Sequence, residues 1–228
     1  MIKIKDQNLK IKTNPQIKIP KNKKIGVLIL LFGICFGFWS LSFELPAKAW
    51  SINTELRQEI AAKQAAVAKA PNSALAHFDL GITYAYTNNI QKGWDELKKV
   101  EELNPKFRSQ GRNLYINKVT ADPDDWRLRF RLAFAYYFNN EKNDAIRELK
   151  NVLIIDPNNV WAYGYLALIY GELNEVDTAI DYTKKGIKID SNVAALHLLL
   201  SEGYYKKGNS WGGFIERMEA VRLLALGF

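Results

Sequence analysis

From Ser51 onward, apolar residues recur every three or four positions in short segments broken by Pro, Asn and Gly. No stretch alternates apolar and polar side chains residue by residue, so the pattern predicts amphipathic helices and no strands. Thr54–Lys69 reads as a lone amphipathic helix before Pro71, and the chain closes on a helix over Trp211–Phe228. One segment differs in kind. Ile25 to Phe43, IGVLILLFGICFGFWSLSF, runs for 19 residues without a charge. At about 1.5 Å rise per residue it covers roughly 28 Å, close to the ~30 Å hydrocarbon core of a bilayer.

The amphipathic part repeats itself. Leu80-Gly81, Tyr84, Gly93, Leu97, Val100 and Pro105 recur as Leu132-Ala133, Tyr136, Ala145, Leu149, Val152 and Pro157. They return as Leu166-Ala167, Tyr170, Ala179, Thr183 and Gly186, with Ser191 where the proline would fall. A weaker copy carries Leu200-Ser201, Tyr204, Gly213 and Ala220. Large residues at these places fill the space between neighbouring units, and small ones let two helices cross closely. This spacing resembles the tetratricopeptide-repeat (TPR) family, whose unit is a pair of antiparallel helices about 34 residues long. On that register the units begin near Ala74, Trp126, Val160 and Ala194. The first step is longer than the others, so 108–125 is an insertion, expected to form a helix around Arg112–Thr120 that ends at Asp122-Pro123.

The expected fold is therefore all-α, a right-handed α-solenoid of antiparallel helix pairs over 74–228. Residues 44–73 form a linker and an N-terminal capping helix. Residues 25–43 are a transmembrane helix or the apolar core of a signal peptide, behind a basic segment over 1–24. Residues 1–49 hold nine of the 32 basic residues and two of the 24 acidic ones, which leaves 23 against 22 for the rest. The net charge of +8 thus describes the leader, and a near-neutral body gives no reason to expect nucleic-acid binding. Leader lysines stay on the cytoplasmic side and send the body across the membrane. Ala47-Lys48-Ala49 fits a signal-peptidase site, so anchoring and release, to a periplasmic, lumenal or secreted form, both remain open.

The single cysteine, Cys35, lies in the apolar run, which leaves the body without a disulfide or a thiolate. His77 and His197 stand three residues before Leu80 and Leu200, a shared structural slot rather than a catalytic pair. No phosphate loop, metal-ligand motif or nucleophile motif is present, so no cofactor, metal or catalytic residue is expected.

The resemblance implies a protein partner bound on the concave face by the first helix of each unit, at its second, fifth, ninth and twelfth places. In the first unit these are Leu75, Phe78, Ile82 and Ala85, and in the second Arg127, Phe130, Phe134 and Tyr137. The third supplies Trp161, Gly164, Leu168 and Gly171, and the fourth Ala195, Leu198, Glu202 and Tyr205. The set is aromatic and aliphatic, unlike the Lys- and Asn-rich face that grips acidic tails. It suits an apolar peptide or helix of a partner. The expectation is a non-enzymatic scaffold, with assembly of a membrane or envelope complex as its setting. Self-association through the uncapped final helix is the alternative, and a regulatory part of an enzyme the weakest.

Overall fold

The computed structural model describes residues 54–227. The predicted span over Ile25–Phe43 lies outside the described residues, and among those no helix is long and apolar enough to cross a membrane. The described residues are all-helical. Helix α1 (Thr54–Lys69) is followed by α2 (Ala74–Ala85), α3 (Ile90–Leu103), α4 (Phe107–Ala121) and α5 (Trp126–Phe138). Then come α6 (Lys142–Ile155), α7 (Val160–Glu172), α8 (Val176–Ile189), α9 (Ala194–Lys206) and α10 (Ser210–Ala225). Helices α2 and α3, α5 and α6, α7 and α8, and α9 and α10 pack as pairs, and α4 is an additional helix packed on α5.

The repeat is written into the backbone of the turns. Asn88, Asn140, Asn174 and Gly208 have φ of 58°, 62°, 63° and 76°, a left-handed conformation that Asn and Gly tolerate best. Each closes the first helix of a pair with the same bond. The amides of Asn89, Glu141, Glu175 and Asn209 donate to the carbonyls of Tyr84, Tyr136, Tyr170 and Tyr204. First helices open on capping side chains in three pairs: Ser73, Asp125 and Asn159 accept from backbone amides one helical turn on. Val193, at the fourth such place, makes no side-chain cap.

Within pairs the small residues sit where the helices cross. A methyl group on Gly93 would come within 2.9 Å of the Gly81 carbonyl. In the last pair Ser201 Oγ donates to the Gly213 carbonyl at 2.8 Å. Between pairs, Phe130, Leu149, Val152, Leu166 and Leu196 are buried and join one continuous core from Ala74 to Leu196. On typical values, fully burying each such side chain contributes roughly 1.5–3 kcal/mol.

Candidate partner-binding faces

The first-helix face has two halves. Phe78, Ile82, Phe130, Phe134 and Trp161, five of the candidate contact residues, are all no more than 6% exposed and belong to the core. Phe78 packs its ring on Phe107 and Tyr115 of α4, at 5.3 and 5.5 Å between centroids. Phe130 and Phe134 meet the Tyr165 ring edge-on at 5.6 and 4.7 Å, and the Tyr165 hydroxyl donates to the Ala85 carbonyl. These aromatics bind the protein to itself, because α4 and α7 close over the face that the repeat pattern alone leaves open. They are not available to a partner in this conformation. Arg127 is half-buried and is also engaged, its guanidinium on Glu55 and Glu59 of α1.

Helix α1 contributes no buried residue and is held largely by polar contacts. Glu59 reaches into a cluster where Tyr86, Thr83 and Arg131 all donate to one carboxylate oxygen, Arg131 at 2.8 Å. Arg131 is only 4% exposed and also faces Asp79, which accepts from Tyr115 and pairs with Lys63 of α1 at 2.9 Å. Burial alone raises the Glu59 and Asp79 carboxyls. For Glu59 the Tyr86 hydrogen bond and the Arg131 charge outweigh it; for Asp79, the Arg131 charge and the Tyr115 hydrogen bond do. Both carboxyls therefore lie below their ordinary values. The Tyr86 and Tyr115 hydroxyls are pushed up, first by burial and then by the neighbouring carboxylates.

The other half stays open. Tyr137 and Leu168 are half-buried, and Leu198 and Tyr205 are each 38% exposed. Between α7 and α9, backed by Val176, Ala179 and Thr183 of α8, lies a groove of about 280 Å³ lined by Leu168, Gly171, Leu199 and Gly203. Gly203 brings its backbone so close that an added Cβ would stand 2.6 Å from Ile180. At the rim, Glu172 accepts from Tyr137 and Lys142, Glu202 pairs with Arg217, and Lys206 donates to the Gly171 carbonyl. The floor is apolar and the rim polar groups are partnered. A second cleft of about 230 Å³ lies among α2, α3, α4 and α5, walled by Phe78, Trp94, Phe107 and Phe138. The repeat register did not single out Trp94, yet an indole in the otherwise polar run around it was a visible signal.

The histidines occupy matching environments. His77 bridges the Pro71 carbonyl and Glu96, and His197 bridges the Ser191 carbonyl and Glu216. In each, both ring nitrogens face oxygens of the chain's own turn and second helix, a structural tie between them. Among the described residues no three His, Cys, Asp or Glu side chains are grouped to hold a metal ion.

Residues 148–181 match the family model described as a tetratricopeptide repeat. No match is found among curated proteins. The chain is similar in fold to the solved structure "MamA MSR-1 C2", with a TM-score of 0.51 and 17% identity over 75% of this chain and 95% of that one. MamA from Desulfovibrio magneticus RS-1 gives 0.44 and 14% identity, over 77% of this chain and 98% of that one. YrrB, described as a TPR protein with an unusual peptide-binding site, gives 0.41 and 14%, over 74% of this chain and 78% of that one.

Proposed function

We propose that the chain is a non-catalytic protein-interaction scaffold that seats an apolar segment of a partner, a peptide or a helix, in the groove between α7 and α9. One observation carries this reading. The groove combines an apolar floor with a rim whose carboxylates and lysine are already partnered, so it rewards apolar burial and recruits no strongly charged ligand. Leu168, Gly171 and Glu202 line it, at first-helix places where the family resemblance puts the partner. The balanced charge of residues 50–228 argues against nucleic acid as the partner. The leader places this scaffold beyond a membrane, single-pass if Ile25–Phe43 is kept and free if cleavage falls near Ala49. That setting suits assembly of a membrane or envelope complex.

The test is capture by chemical crosslinking from membranes, wild type against Leu168→Glu, with thermal melting to show that the variant stays folded. The expected result is a specific partner on the wild type and at least a tenfold loss on the variant. Equal capture by both would end the groove reading.

A further inference from the structure

Helix α10 carries six exposed large apolar side chains. Trp211 is 72% exposed, and Phe214, Ile215, Met218, Val221 and Leu224 are between 42% and 58% exposed. The spacing 211, 214, 218, 221 places four of them on one seam, with Ile215 beside it. Contiguous apolar patches of this kind mark interaction sites.

The preceding pairs show that stacking alone does not call for this face. At 34-residue steps, Trp211 corresponds to Asp177 and Asn143, Ile215 to Asp181 and Arg147, and Met218 to Lys184 and Lys150. Leu224 corresponds to Asp190 and Asp156. Only Phe214 and Val221 correspond to apolar side chains, Ile180 with Ile146 and Ile187 with Leu153. Four apolar residues on α10 therefore stand where the inner helices are polar, and the face is wider than a further repeat would cover.

We infer that this face is the interface with a second copy of the chain, two α10 helices packing antiparallel about a two-fold axis near Met218. Charge supports that occupant. Among the ionisable side chains of α10, Glu216 bonds His197, Arg217 pairs with Glu202, and Glu219 pairs with Arg222. The rim is neutral, so it neither attracts an anionic lipid surface nor repels an identical face. Size supports it too. The six side chains offer roughly 600 Å² per copy, on the scale of the ~800 Å² per partner in a standard interface. Antiparallel pairing sets the bulky Trp211 and Phe214 end against the end holding the small Ala225, and it opposes the two helix dipoles. The interface is isologous, so it closes at a dimer and does not grow a filament. It leaves the α7–α9 groove untouched and holds whether or not that groove binds a partner.

The test is oxidative crosslinking of the full chain in membranes, in a Cys35→Ser background so that one cysteine is introduced at a time. Met218→Cys is expected to give a covalent dimer at least tenfold faster than Lys184→Cys, its counterpart one repeat back. Adding Trp211→Glu and Leu224→Glu is expected to abolish that dimer, with helical content by circular dichroism as the check on folding. Sedimentation of the detergent-solubilised Cys35→Ser chain should give twice the protomer mass. Equal crosslinking at both positions, or a monomer by sedimentation, would overturn the inference. If a monomer instead pelleted with zwitterionic vesicles through Trp211, the face would belong to a lipid surface.

Discussion

Helices α2 and α5 on one side, and α7 and α9 on the other, are first helices of their pairs and carry apolar side chains at corresponding places, and α10 adds an apolar face of its own to the second group. In the first group Phe78, Ile82, Phe130 and Phe134 are buried, covered by α4 and by Tyr165. In the second, Leu198, Tyr205 and the outer residues of α10 remain exposed. The repeat spacing sets which way a side chain points. What lies opposite it decides whether that side chain is core or surface. An inserted helix and a polar N-terminal strap turned one half into a sealed body, and among the described residues no equivalent cover lies over the other, which stays exposed.

The widest separation between the halves is expected from truncating a large apolar side chain in each. Phe130→Ala should lower stability by about 3–5 kcal/mol, since it empties a space bounded by Tyr86, Trp126, Phe134 and Tyr165. Met218→Ala, measured in the Trp211→Glu and Leu224→Glu background that keeps two copies apart, should change it by no more than about 0.5 kcal/mol, the range for a surface site. Urea denaturation of the two variants measures both. Similar losses would mean that α10 is as enclosed as α5.

A smaller effect is expected at the strap. Glu59→Ala removes the acceptor for Tyr86, Thr83 and Arg131 and leaves Asp79 as the only carboxylate beside the buried guanidinium. The expected loss is about 1–3 kcal/mol, the cost of leaving buried donors unsatisfied. Replacing both charges, as Glu59→Met with Arg131→Met, should recover part of it, because burying ions is itself costly. Hydrogen exchange should show α1 losing protection in Glu59→Ala while α7–α10 keep theirs. Uniform loss across all helices would show that α1 is integral to one cooperative unit and not a strap.

The helices were legible in the sequence because their signals are local. Leu-small-Tyr spacing, capping residues such as Asp125, and Asn-Pro or Asp-Pro stops all act within one or two turns. The N-terminal helix over Thr54–Lys69 was legible for the same reason. The helix expected around Arg112–Thr120 begins earlier, at Phe107, because Phe107 is drawn into the core by Phe78. The face was read less well. Phe78, Phe130 and Phe134 occupy places that line the groove in a regular array, but coverage by α4 and α7 is a long-range contact that periodicity does not encode. The Arg131 cluster was missed likewise, since its partners Glu59 and Asp79 lie 72 and 52 positions away. The uncapped final helix was legible, but its apolar face was not singled out, although comparing Trp211, Ile215, Met218 and Leu224 with Asp177, Asp181, Lys184 and Asp190 one repeat back shows the change from polar to apolar.

The finest distinction between the halves is expected with acid. Glu59 and Asp79 have folded-state carboxyls held below their ordinary values of 4.5 and 3.8. A depressed carboxyl contributes stability that is complete above its unfolded value and is lost as pH falls through the folded one. These two groups should therefore contribute undiminished stability from pH 7 down to about 5, and the α1–α5 half should weaken below about 4 as they take up protons. Protonated, they no longer balance Arg131, which remains charged and buried. Glu59→Gln with Asp79→Asn should start lower at neutral pH and show a flatter acid limb, as the groups that titrate are gone. Protection measured by hydrogen exchange at pH 7 and pH 3.5 separates the two regions: in the wild type α1 should open before α7 and α8. Parallel acid limbs in wild type and double variant would place the acid sensitivity outside this cluster, and the sealed half would then owe its pH response to something other than the charges beneath the strap.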